Sequence, residues 1–97
     1  EPTVAGIHDM KRIHGLTKHF RVRTGVCVNK YDINTEKSRE IEGYCRENGL
    51  MFFGMIPYDR DVTEAQIAGK SVVEYSNGPA SEAIRKLWEK TENEIFK

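Results

Sequence analysis

Two short polar segments, Asn29-Lys30-Tyr31-Asp32 and Ile56-Pro57-Tyr58-Asp59, carry the residue types of this chain that are best suited to recognise a ligand. The first directly follows an apolar run and fits the pattern Asn-Lys-x-Asp. An amide such as that of Asn29 can donate and accept hydrogen bonds at the edge of a heterocyclic base, and a carboxylate such as that of Asp32 can accept two from a guanine edge. Because a lysine stem can also lie along the plane of a base, this pattern predicts a base-binding loop.

The second segment closes another apolar run, and it does so with a proline. Pro57 lacks a backbone donor and fixes the local chain direction, which leaves the backbone groups that follow it free to meet a ligand. We therefore predict one base-binding site from both segments, formed by Asn29, Lys30, Asp32, Pro57, Tyr58 and Asp59.

Both segments also have a purely structural interpretation. In the first, Asp32 or Asn34 would end a polar turn and cap the helix that follows. Behind the second, Asp61 and Glu64 form the pattern Asp-x-x-Glu, which predicts Asp61 as the N-cap of a short helix. The residues alone leave the choice between base binding and capping open for the first segment.

The apolar runs that precede these segments predict two strands, over residues 22–29 and 50–56. Val26, Cys27 and Val28 are consecutive and apolar, so we expect both faces of the first strand to be covered, as in a parallel sheet flanked by helices. In such domains ligands bind where the parallel strands end. The two polar segments would then lie side by side at one edge of the sheet.

Helical spacing of apolar residues predicts the elements around these strands. Helices are expected over 4–20, 35–48, 61–69 and 79–96, with a short extended piece at 71–75. The second helix has an apolar face formed by Ile41, Tyr44 and Cys45, with Asn34 or Thr35 as its cap and Gly49 at its end. In the last helix Trp88 lies on the apolar stripe, so we expect it in the core.

The order of elements predicts an α/β fold: a partial three-layer arrangement with two main parallel strands flanked by about four helices. We treat residues 1–97 as a single unit. Two parallel strands with bare edges make a poor independent fold. We therefore expect the neighbouring strands to come from a preceding part of a parent chain or from a second copy, and we expect self-association.

Composition narrows the classes of function. Lys plus Arg and Asp plus Glu both number 15, so the formal net charge is zero, which argues against a dedicated nucleic-acid binder. No apolar run is long enough to span a bilayer, and no signal peptide is evident. A local basic cluster can be a solvated helix face or a patch for phosphate or an acidic partner; it comprises Lys11, Arg12, Lys18, Arg21 and Arg23.

Cysteines and histidines give no sign of a metal site. Cys27 and Cys45 match no metal-ligand spacing, so we interpret both as small buried apolar residues, which suits a reducing cytoplasm. The histidines, His8, His14 and His19, lack the spacing of three or four residues that a helical metal site needs, so we expect them at the surface. We predict no metal ligands in this chain.

Taken together, several segments resemble the C-terminal part of the MinD/Mrp/ParA-type P-loop ATPases, which carry the CobQ/CobB/MinD/ParA nucleotide-binding domain and include proteins called cobyrinic acid a,c-diamide synthases. The likeness is greatest to MinD-superfamily ATPases with an inserted ferredoxin domain, and it extends over nearly the whole chain. The residues that carry it are Glu1-Pro2-Thr3-Val4-Ala5-Gly6-Ile7-His8-Asp9, Val26-Cys27-Val28-Asn29-Lys30-Tyr31-Asp32, Gly54-Met55-Ile56-Pro57-Tyr58-Asp59, Val62-Thr63-Glu64-Ala65 and Gly69-Lys70-Ser71-Val72-Val73.

This resemblance implies a P-loop NTPase fold, ATP binding with Mg²⁺ and a nucleotide-dependent homodimer. It also implies that Asn29 contacts the base and that the loop Pro57–Asp59 flanks it. Asp32 matches the position that reads guanine in GTPases but need not do so in this group, so ATP and GTP both remain open. An iron–sulfur cluster would belong to the parent protein only.

The chain departs from the family pattern in lacking its phosphate-binding parts. No GxxxxGK[ST] motif occurs, and the deviant Walker A loop, the switch aspartates and the cluster cysteines would all lie before Glu1. We therefore expect these residues to supply the base-side portion of an ATP-binding domain and to be inactive alone. The alternative is a protein–protein interaction module with no nucleotide role.

Overall fold

The computed structural model describes residues 1–96 and confirms the α/β fold, with two parallel strands and five α-helices. A 3₁₀ turn, Tyr31–Ile33, follows the first strand. In chain order the elements are α1 (Val4–His19), β1 (Gly25–Asn29), α2 (Thr35–Glu47), β2 (Met51–Ile56), α3 (Arg60–Ile67), α4 (Val72–Tyr75) and α5 (Pro79–Ile95).

The two strands pair in parallel, with an irregular register in the middle. Val26 pairs with Phe52 and Cys27 pairs with Gly54, so Phe53 is an extra residue that bulges from β2. The backbone of Gly54 has a φ of 137°, a conformation that favours glycine. The ring of Phe53 lies over Gly25, where any side chain would collide with it. After the bulge the register continues to Asn29 opposite Ile56, so both strands end at the same level.

A small apolar core lies on one side of this sheet. Its buried members come from α1, β1 and α2, namely Ile7, Val28, Ile41 and Cys45. Partly buried side chains surround them, namely Met10, Val26, Tyr31, Leu50, Phe52 and Met55. The predicted apolar face of α2 is confirmed for Ile41 and Cys45, and the side-chain cap of α2 is Asn34, one of the two expected candidates. Helix α5 packs against β2 but contributes no residue to this cluster.

The other side of β1 is open, which corrects the expectation that both faces are covered. Gly25, Cys27 and Asn29 are exposed, whereas Val28 is 1% exposed. Successive side chains of a strand point to opposite faces, so the exposed residues define one uncovered face. The prediction that Cys27 is buried is therefore wrong, while the same prediction for Cys45 is confirmed at 0% exposure.

Helix boundaries and burial differ from the expectations at several points. Residues 72–75 form a helical turn capped by Ser71 and Glu74, not an extended piece. His14 is buried, which corrects the expectation that it lies at the surface, and its Nδ1 is hydrogen-bonded to the hydroxyl of Tyr44 at 2.7 Å. Trp88 is exposed, because the two-stranded sheet is too narrow to cover the whole stripe of α5.

The narrow sheet also leaves most of the apolar side chains of helix α1 uncovered. Among the apolar residues whose helical spacing predicts this helix, namely Val4, Ile7, Met10, Ile13 and Phe20, only Ile7 is buried. Several apolar side chains along α1 and just after it are more than half exposed, namely Val4, Ile13, Leu16, Phe20 and Val22. We call this set the α1 stripe.

Candidate functional site

The two predicted loops are joined by a direct hydrogen bond. The backbone N–H of Tyr58 donates to Oδ1 of Asp32 at 2.8 Å. Because Asn29 and Ile56 are register partners at the ends of their strands, the chain that follows each one starts from the same sheet edge. The prediction that both loops lie side by side is therefore confirmed.

The first loop is anchored to α2 through the side chain of Ser38. The hydroxyl of Ser38, 1% exposed, lies 2.9 Å from the carbonyl oxygens of both Tyr31 and Asn34 and donates its single proton to this pair of acceptors. Oδ1 of Asn34 accepts from the backbone N–H of Lys37 at 2.9 Å and so caps α2. The capping interpretation thus holds for Asn34, while Asp32 points to the neighbouring loop instead.

Asn29 and Lys30 start this loop but have different surroundings. Asn29 is exposed at the last position of β1, and within residues 1–96 its side-chain amide has no hydrogen-bond partner. Lys30 has a left-handed backbone, with a φ of 55°. Its ammonium donates to Oε1 of Glu1 at 3.0 Å, and this hydrogen bond, together with the lysine charge, lowers the pKa of the Glu1 carboxyl. Lys30 is therefore turned toward the start of α1.

Asp59 in the second loop is an N-cap for α3. Its Oδ1 accepts from the backbone N–H of Asp61 at 2.9 Å, and its Oδ2 accepts from the backbone N–H of Ala80, in the first turn of α5, at 3.1 Å. The prediction that Asp61 caps α3 is wrong, because Asp59 already occupies that place. Asp61 instead accepts a hydrogen bond from the hydroxyl of Ser76, whose oxygen accepts from the N–H of Gly78 at 2.9 Å.

The six predicted site residues thus divide into two groups. Lys30, Asp32 and Asp59 are each engaged by other parts of the chain. Asn29 presents an unpaired amide, Pro57 lacks a backbone donor, and Tyr58 is 54% exposed. An amide can read the edge of a base, and an aromatic ring can stack on its face.

Two residues that shape this site were missed by the sequence-based prediction. Ser38 follows Asn34 by four residues, the spacing at which a serine hydroxyl reaches back to a helix carbonyl, and that signal could have found it. Ala80 takes part only through its backbone N–H. Such a role does not depend on the residue type, so no signal in the sequence could have indicated Ala80.

The described residues do not fit an iron–sulfur cluster. Such clusters need four ligands, most often cysteine thiolates, whereas Cys27 is exposed on the open face of β1 and Cys45 is buried in the core. Among residues 1–96 no three histidine, cysteine or acidic side chains are grouped closely enough to hold a metal ion. None of the helices in this part of the chain has the length and apolarity needed to cross a membrane.

Comparison with known families identifies the kind of domain to which the two loops belong. The family model described as the CobQ/CobB/MinD/ParA nucleotide binding domain matches residues 3–72. The chain belongs to this family. The matched range contains both loops and all six predicted site residues, and it ends at the first residue of α4. Comparison with curated proteins and with solved structures gives no match.

Proposed function

We propose that these residues form the base-side wall of an ATP-binding site in a MinD/ParA-type ATPase. The observation that carries the proposal is the free amide of Asn29 at the end of β1, beside a second loop that is held against it. An asparagine amide can make two hydrogen bonds to adenine, one to its amino group and one to N7. Tyr58, which is exposed in the second loop, would supply an aromatic ring that can stack on the face of the base.

The phosphate groups and the accompanying Mg²⁺ would be held by residues outside the described chain. Phosphoryl transfer depends on a backbone cradle, a lysine and a metal ion around the phosphates, and the sequence contains no GxxxxGK[ST] motif. When bound, ATP would supply the reactive phosphate, whereas this chain would bind and orient the base. We infer that residues 1–97 are inactive without such a partner segment.

The open surfaces of the sheet support a role within a larger assembly. A cavity of about 390 Å³ lies along the free edge of β1 and is lined by Met10, Ile13 and Cys27 among others. A second one, of about 640 Å³, lies beside β2 and includes Phe52 and Met55. Bare edges of this kind pair readily with further strands. We propose that another part of the same domain or a second copy in a homodimer covers them.

The second candidate function is an assembly module without any nucleotide role, and the exposed α1 stripe is the observation that favours it. Both candidates use the open surfaces, but only the first needs Asn29. In an assembly module the two loops would be ordinary connections, and replacing Asn29 would change neither nucleotide binding nor assembly.

Calorimetric titration with ATP and GTP tests the choice in the full-length protein that contains this chain. Asn29→Ala should weaken ATP binding by roughly tenfold, the loss of about 1.4 kcal/mol of hydrogen bonding, with an unchanged melting temperature. Asn93→Ala, at an exposed position of α5, is the matched control and should bind as the wild type does. If the two variants bound ATP with equal affinity, Asn29 would not be part of the binding site.

A further inference from the structure

The hydrogen bond between the two loops has a consequence for base selection. A carboxylate that reads guanine uses its oxygens as acceptors for the N1–H and the 2-amino group of the base. In this chain Oδ1 of Asp32 already accepts from the backbone N–H of Tyr58 at 2.8 Å. That oxygen is engaged in joining the loops, and of the two carboxylate oxygens of Asp32 only Oδ2 is left without a hydrogen-bond partner within residues 1–96, whereas reading guanine uses both oxygens.

The direction of the Asp32 side chain is imposed by the fold beneath it. Asp32 is the central residue of the 3₁₀ turn, which lies between the left-handed Lys30 and the helix cap Asn34. The turn is tied to α2 by the buried hydroxyl of Ser38. Because the backbone of this turn is held at both ends, the side chain of Asp32 is kept directed at the backbone N–H of Tyr58.

The second loop is equally dependent on this contact. Pro57 has no backbone donor, so Tyr58 offers the first N–H after β2. One residue later Asp59 ties the chain to α3 and α5. The path from Ile56 to the cap of α3 is thus held at two points, and Asp32 supplies the one that lies next to Asn29.

We propose that Asp32 is a positioning residue that holds the second loop against the first, and that it does not read the base. The proposal rests on the proposed function, since it assigns the roles within that same site. Base selection then falls to Asn29, whose amide matches adenine. Asp32 would raise the affinity for every purine nucleotide to the same degree, because it shapes the wall without touching the base edge.

Two variants at Asp32 separate the roles, again in the full-length protein. Asparagine retains Oδ1 and can still accept from Tyr58, so Asp32→Asn should leave the ratio of affinities for ATP, GTP and XTP unchanged. A residue that reads guanine would instead behave differently. With asparagine in its place it would lose GTP and gain XTP, because xanthine carries a carbonyl where guanine carries the 2-amino group.

Asp32→Ala removes the acceptor altogether. All three nucleotides should then bind more weakly by a common factor of about ten, the low end of the effect of one lost hydrogen bond to a charged acceptor, because this bond is exposed. Hydrogen exchange of the Tyr58 amide, measured without nucleotide, should accelerate by a similar factor in this variant but not in Asp32→Asn. Asp9→Ala, an exposed carboxylate on α1 away from both loops, is the matched control and should change neither quantity.

The outcomes are distinct. A uniform loss in Asp32→Ala together with unchanged ratios in Asp32→Asn supports the positioning role. A switch from GTP to XTP in Asp32→Asn overturns it, and so does an unchanged exchange rate of the Tyr58 amide in Asp32→Ala. If the wild-type protein binds no nucleotide, the proposed function fails, while the exchange experiment still decides whether Asp32 holds the loops together.

Discussion

Asp59 and Ala80 are joined by a hydrogen bond in which the backbone N–H at the start of α5 donates to the carboxylate that caps α3, at 3.1 Å. A negatively charged side chain is favourable at the N-terminus of a helix, and here one carboxylate serves two helices. This contact connects the second loop of the site to α5, which lies beyond the range that matches the nucleotide-binding family.

Replacing Asp59 should therefore destabilise the fold rather than merely alter the loop. We expect Asp59→Ala to lower the free energy of unfolding by about 2 kcal/mol, since an N-cap alone contributes about 1 kcal/mol and the contact to α5 is lost as well. Asp59→Asn keeps one acceptor oxygen and should lose about half as much. Urea denaturation measures both, with Asp9→Ala as the exposed control. Equal stabilities of Asp59→Ala and the control would contradict the double role.

Arg21 provides a test of backbone strain at the end of α1. Its φ is 58°, and the N–H groups of Arg21 and Val22 donate to the carbonyls of Lys18 and Thr17. This pairing is the Schellman motif, in which glycine is the usual residue at the left-handed position. An arginine there carries a cost of about 1 kcal/mol because its Cβ approaches the following carbonyl.

Arg21→Gly should consequently be more stable than Arg21→Ala, by about 1 kcal/mol. Both variants remove the guanidinium group, so their difference isolates the backbone effect from any effect of charge. Thermal denaturation at one pH measures it. An Arg21→Ala variant as stable as Arg21→Gly would show that the strain is absent.

The two cysteines should react with thiol reagents at very different rates. Cys27 is exposed on the open face of β1, whereas Cys45 is 0% exposed. Desolvation raises the pKa of both thiols, and in Cys45 the nearby carboxylate of Glu42 adds to this effect. Because the thiolate is the reactive form, the labelling rate of Cys27 should keep rising with pH beyond the pH at which an ordinary cysteine is fully ionised. Cys45 should react only after unfolding.

The same labelling reports on the proposed covering of the sheet. In the isolated chain, Cys27 should become protected as protein concentration rises, together with an increase in mass by light scattering, if a second copy covers this face. Cys27→Ser and Cys45→Ser assign the signals. A monomer at high concentration with unchanged labelling would contradict self-association.

Much of the fold could be read from local signals in the sequence. The order of elements, the two strands, the cap at Asn34 and the buried pair Ile41 and Cys45 all follow from periodicity and capping preferences. These signals depend on residues that are close together in the chain, so they can be recognised without the tertiary structure. Trp88 and Cys27 were misjudged because burial depends on what lies opposite a residue, and here the sheet has only two strands.

In the candidate site, the order of residues along the chain is enough to place an amide, a proline and two carboxylates at the ends of the two strands. It could not determine which of these polar groups would be left free. In the folded chain Asp32 pairs with the N–H of Tyr58, 26 positions away, and Asp59 pairs with the N–H of Ala80, 21 positions away. Every residue except proline has a backbone N–H that can donate, so chain geometry and not residue type selects partners that lie 20 or more positions apart.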